Sequence, residues 1–120
     1  MAKIGRTINN VIRGDTRTIN LTFLDSDGST AINLAGGTVY FTVSELDNPS
    51  SDASAVIQKT ASGGNITGPS TGQHTFTLTH TDTNIDPGTY WYDAQFVDAS
   101  DQYLSSYRGK FIVQSDVTRT

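Results

Sequence analysis

The sequence contains no cysteine, so disulfide staples, thiolate metal sites and a cysteine nucleophile are excluded together. Glutamate occurs once, lysine and alanine are scarce, and no stretch shows helical periodicity, so almost no helix is expected. Positive charge is also thin. Eight basic residues stand against 12 acidic ones, for a net charge of −4, and the basic residues do not cluster. Nucleic acid is thereby excluded as the main ligand, because phosphate binding is driven by concentrated Lys and Arg. No apolar run follows the two charges of "MAKIGRTINN", which reads neither as a secretory signal nor as a membrane anchor, and synthesis in a cytoplasm is expected.

What the chain has in quantity is Ser, Thr and Gly, the material of strands and turns. At 120 residues it is long enough to bury one core without staples, and a single domain over 1–120 is expected. In "TRTINLTF" the residues Ile19, Leu21 and Phe23 fall on one face and Thr18, Asn20 and Thr22 on the other, the period of a half-buried strand. "TVYFTVS" repeats the pattern, with Val39, Phe41 and Val43 inward and Tyr40 outward. "AVIQKT" is a brief strand, "HTFTLTH" places Phe76 and Leu78 inward, and "TYWYDAQFVD" is the longest clear strand. After a tight turn at "DASD", Phe111 and Val113 share a parity in the return strand, where Gly109 marks a bend or bulge. The polar "ELDNPSSDAS" is expected to join strands that are not hairpin neighbours and to be mobile. Residues 1 to about 8 lack alternation and read as an arm, and "SDVTRT" as a polar tail. Seven to nine short strands at this spacing predict an all-β antiparallel sandwich, with an eight-stranded barrel as the alternative.

"DPGTYWY" has the spacing Asp86-x-Gly88-x-Tyr90-x-Tyr92. It is similar to the corner of immunoglobulin-like sandwiches, in which a tyrosine early in a strand sends its hydroxyl back to backbone a few residues upstream. Tyr90 fits that tyrosine, and Tyr92 stands where antibody domains carry a cysteine, so packing must replace a bond there. In order along the chain come "VIRGDTRTINLTFLDSDGSTAINLAGGTVYFTV", "AVIQKT", "LTHTDTNIDPGTYWYDAQFVD" and "GKFIVQSDVTR". This ordered set resembles the immunoglobulin-like domain at the start of bacteriophage baseplate upper proteins and its short relatives among phage structural proteins. The resemblance implies a virion protein, made in the host cytoplasm and working by contact with other virion proteins and copies of itself. The sequence departs from that family in reading as one short domain, with no following fibre or receptor-binding region expected, so its place in the particle does not follow from the resemblance.

The tripeptide Arg13-Gly14-Asp15 is the one that animal adhesion ligands present to integrins. Here it stands just before the Ile19 strand, where a flexible glycine followed by an Asp bonding nearby backbone serves the scaffold. The resemblance gives these positions the same role.

Other constellations carry no chemistry. His74 and His80 are placed on one strand facing one way, roughly 20 Å apart, too far to share a metal. Asp25, Asp27 and Gly28 suggest a calcium loop, but that alignment puts Phe23 at the first ligand position and no glutamate at the twelfth. No Gly-x-Ser-x-Gly elbow or pair of catalytic carboxylates is visible, and the glycines of "SGGNITGPSTG" precede neither a phosphate-binding lysine nor a helix. Asn20-Leu21-Thr22 and Asn65-Ile66-Thr67 match the glycosylation pattern by chance. Neither catalytic residues nor cofactor or metal ligands are expected.

Contact residues are a different matter. With Tyr90, Tyr92, Ala94 and Phe96 inward, Trp91, Asp93, Gln95 and Val97 point outward. Tyr40 and Ile112 are outward on strands that neighbour this one in an immunoglobulin-like sheet. Tyr40, Trp91, Val97 and Ile112 are therefore the expected interface, joined by Lys3, Ile4 and Arg6 of the arm. Three functions fit such a face. A tail, baseplate or fibre-attachment protein comes first, a capsid decoration or cement protein second, and a glycan-binding or host-adhesion module third.

Overall fold

The computed structural model of the chain describes residues 3–4, 7–24, 30–45, 55–100 and 102–115, with 3–4 and 103–107 as backbone alone. Eight strands form among them: β1 (Lys3–Ile4), β2 (Ile8–Ile12), β3 (Arg17–Thr22), β4 (Thr38–Ser44), β5 (Ala55–Ser62), β6 (Gln73–Leu78), β7 (Gly88–Val97) and β8 (Tyr103–Gln114). β3 and β6 pair as a two-stranded sheet, and the other six build the large sheet β1-β8-β7-β4-β5, in which β2 also pairs with β8. The two sheets face each other, and the protein is an all-β sandwich.

Period-2 alternation produces this arrangement. Ile19 and Leu21 of β3 and Phe76 and Leu78 of β6 turn the inner face of the small sheet toward Val39, Phe41 and Val43 of β4, Tyr90, Tyr92, Ala94 and Phe96 of β7, and Phe111 and Val113 of β8, all of them buried. Phe41 is the hub. Its ring centroid lies 5.5 Å from that of Tyr92, 6.4 Å from that of Phe111 and, across the sandwich, 6.3 Å from that of Phe76. Phe23, one residue past β3, meets Phe96 at 6.1 Å. Burying each such ring stabilises the fold by about 1.5–3 kcal/mol. Tyr92 closes its site by ring contact with Phe41.

The structure corrects several expectations. The large sheet is mixed, because β1 and β2 run parallel to β8. A segment returning to the far end of its own chain is not joined to its partner by a hairpin, and its direction is therefore not forced to be antiparallel. Within the segment expected to be an unpatterned arm, the described residues are paired: Lys3 and Ile4 are Cα partners of Tyr107 and Arg108, and Ile8 of Phe111. The polar stretch after β4 joins immediate neighbours, since β4 and β5 are antiparallel partners from Thr38–Ser62 to Ser44–Ala55. Its expected mobility, like the Asp25–Asp27–Gly28 turn and the C-terminal tail from 116, lies outside the described residues.

Val97 is buried, not outward. The register of β7 against β8 slips between Phe96 and Val97, which breaks the alternation and turns two consecutive side chains away from solvent. Gly109 pairs with Tyr92 inside the regular β7–β8 ladder, and the irregularity of that ladder falls instead at the start of β8, opposite Phe96 and Val97. His80 falls in the turn beyond β6, leaving only His74 on the strand.

Candidate contact face

The outer face of the large sheet is built from residues alternating with the core. Thr60 of β5, Tyr40 of β4 and Gln95 of β7 form one cross-strand row; Gln58, Thr42, Asp93 and Arg108 form the next; Ser44, Trp91 and Lys110 form the third. Ile112 stands opposite Thr89, diagonal to Trp91. Tyr40 is the exposed large hydrophobic residue of the described surface, at 38%. Trp91 and Ile112 are half-buried. Two rows separate Tyr40 from Trp91, roughly 13 Å along the strands. The aromatics are thus two separate anchors flanked by polar and charged groups, with Ile112 extending the Trp91 anchor.

Of the expected contact residues, then, Tyr40, Trp91 and Ile112 share one sheet face, while Val97 belongs to the core. Lys3 and Ile4 lie at the edge of the same sheet as backbone, and Arg6 is outside the described residues.

The corner at the start of β7 has the geometry of its motif. Tyr90 Oη donates to the Asp86 carbonyl at 2.7 Å, and the ring is buried. Burial raises the Tyr90 hydroxyl above its ordinary value, with the Asp86 and Glu45 carboxylates acting in the same direction, so the group stays a donor.

The Arg13-Gly14-Asp15 turn is tied down along its length. Arg13 Nε donates to Asn84 Oδ1 at 3.2 Å, the Gly14 amide donates to the Thr83 carbonyl at 3.3 Å, and the Asp15 carbonyl accepts from Thr83 Oγ1 at 2.7 Å. Gly14 has φ +83°, which glycine adopts without strain. The tripeptide is a clamp between the β2–β3 turn and the segment before β7, and it acts through its backbone and through Arg13. Sequence reasoning assigned the scaffold role but missed Thr83, whose only signal is a threonine between two turn residues.

Next to the clamp, Asp82 accepts from the Thr79 amide at 2.8 Å and pairs with Lys59 of β5 at 2.8 Å. Burial pushes the Asp82 carboxyl up, but the Lys59 ammonium and the Thr79 amide and hydroxyl outweigh it and hold it below the ordinary value. His74 is buried edge-on to Phe76, ring centroids 4.2 Å apart, and its Nδ1 accepts the Thr67 amide at 3.2 Å. Burial lowers its pKa, and the bond assigns the neutral ring with its proton on Nε2. His74 is thus a packed structural acceptor. Among the described residues, no three His, Asp or Glu side chains come together to hold a metal ion, and no helix is long and apolar enough to cross a membrane.

No family model and no curated protein matches the chain.

Proposed function

We propose that the protein is a non-enzymatic structural component of a bacteriophage particle, an immunoglobulin-like domain in the tail, baseplate or fibre attachment that works by contact with other virion proteins and with copies of itself. The observation that carries the contact reading is the outer face of the large sheet, where Tyr40 is exposed and Trp91 lies beside the exposed Lys110. Aromatic anchors set among polar groups are the composition of an interface centre and its rim. Placement in a particle is supported by the resemblance of the chain's ordered motifs, among them the Asp86-x-Gly88-x-Tyr90 corner, to phage structural domains. Capsid decoration uses the same contact chemistry at another location. A glycan platform has less support, because Trp91 is half-buried and Tyr40 lies roughly 13 Å away, so the two rings do not flank one sugar.

The test is a Tyr40→Ser, Trp91→Ser double variant. The purified domain is expected to fold with the wild-type circular dichroism spectrum, and its incorporation into particles to fall at least tenfold. Normal incorporation by a folded variant refutes the contact face. Electron microscopy of particles carrying the wild-type protein separates tail from capsid, and binding to a glycan panel, lost in the Trp91→Ser single variant, replaces the proposal with the third reading.

A further inference from the structure

The edge of the large sheet formed by β1 and β2 is in two parts. From Ile8 to Val11 the chain advances three residues while β8 advances two, from Phe111 to Val113, so one residue is extra and the ladder is interrupted at Asn9–Asn10. Asn10 has φ +57°, the positive-φ non-glycine among the described residues. Asn tolerates that conformation better than other side chains, which pay roughly 1–2 kcal/mol for it, but less readily than glycine. The carbonyls of Asn9 and Asn10 are held instead by the Arg17 guanidinium, at 3.0 and 3.2 Å. Past the interruption, Val11 is fully buried and Arg13 bonds the Gln114 carbonyl at 3.0 Å, so Val11 onward is fixed to the domain. Before it, the described ladder consists of Lys3 and Ile4 against Tyr107 and Arg108, with Ile8 half-buried against Phe111.

We propose that the pairings of Lys3, Ile4 and Ile8 are exchangeable, leaving β8 of their own domain about a hinge at Asn9–Asn10 and re-forming on β8 of a second copy of this chain in the same parallel register. The occupant follows from what is paired there: Lys3, Ile4 and Ile8 lie against Tyr107, Arg108 and Phe111 of β8, and a second copy supplies the identical residues. Because exchanged contacts are the same contacts, the balance is set by the hinge and by concentration. Strain at Asn10 favours opening, and the two Arg17 bonds oppose it. A departed strand leaves an open edge on β8, a template that accepts another strand. None of this depends on where in a particle the protein sits.

The absence of cysteine makes a clean test possible. Lys3 and Tyr107 are Cα partners before the hinge, and Ile12 and Gln114 are partners after it. Adjacent strands place such partners within disulfide reach. Four full-length single variants are made, Lys3→Cys, Tyr107→Cys, Ile12→Cys and Gln114→Cys. The first two are mixed, and separately the last two, then oxidised at a series of protein concentrations. Interchain dimer that rises with concentration is expected for the Lys3/Tyr107 mixture and not for the Ile12/Gln114 mixture. Arg17→Met is expected to raise the dimer yield about fivefold and Asn10→Gly to lower it by a similar factor, each corresponding to roughly 1 kcal/mol. Should Arg17→Met fail to fold, Asn10→Gly carries the comparison alone. Absence of interchain dimer from the Lys3/Tyr107 mixture overturns the proposal, and so does equal cross-linking in both mixtures, which marks non-specific association.

Discussion

The hydroxyl of Thr83 donates to the carbonyl of Asp15 at 2.7 Å, joining positions 68 residues apart. The Thr83 side chain is fully buried, so this bond has no ready substitute in solvent. Thr83→Val keeps the shape and removes the donor, and is expected to cost about 1–3 kcal/mol, read as a lowered urea midpoint. Asp15→Ala, which leaves the carbonyl in place on an exposed residue, is expected to change stability by less than about 0.5 kcal/mol. If the Asp15 variant is as damaging as the Thr83 one, the clamp runs through the carboxylate and this account fails.

Tyr90→Phe removes one hydrogen bond and nothing of the ring. A loss of about 0.5–1.5 kcal/mol is expected, with the sandwich otherwise intact by near-ultraviolet circular dichroism. An unchanged unfolding free energy shows that the corner is held by turn geometry alone.

Gly37 is a packing position. A Cβ there lies 2.6 Å from the Val97 carbonyl oxygen and against the ring of Phe96, so neither backbone nor core gives way easily. Gly37→Ala is expected to cost about 1–3 kcal/mol, measured by thermal unfolding. A neutral result means that the end of β7 can shift at little cost.

Stability should depend on pH through four groups in three pH ranges, each with a definite sign. His74 is held below its ordinary 6.5, so its contribution is complete above pH 6.5 and is lost as pH falls from there through the folded value. Asp82 is held below 3.8, so its contribution is present above that pH and lost as the solution is acidified through its folded value. Tyr90 and Tyr92 are raised above 10.0, chiefly by burial, and their share is complete below pH 10 and lost as pH rises further. Urea midpoints of wild type and His74→Asn, whose amide oxygen can accept the Thr67 amide in place of Nδ1, separate the first effect. The variant should be flatter between pH 5 and 6.5. Equal slopes for the two proteins remove His74 from the account.

Alternation made most of the core legible. Ile19, Leu21, Val39, Phe41, Phe76, Leu78 and the β7 residues through Phe96 sit where period 2 puts them, because each strand is covered on one face only. Legibility failed where the period is interrupted. A register slip hides Val97, and the extra residue at Asn9–Asn10 hides the strand character of the N-terminal segment. Pairing partners were less visible still: the polar loop after β4 says nothing about whether the next strand is a neighbour, and the parallel contact with β8 spans nearly the whole chain. On the contact face, parity placed Tyr40, Trp91 and Ile112 together, but their spacing depends on cross-strand register, which one sequence does not encode legibly.

Because β8 carries β1 and β2 on one side and β7 on the other, completion of the large sheet waits for the far end of the chain. About one hundred residues separate the two edge partners, and at ribosomal speed that is a delay of roughly 5–20 s. During translation the N-terminal segment therefore emerges into a crowded cell with its eventual place not yet made.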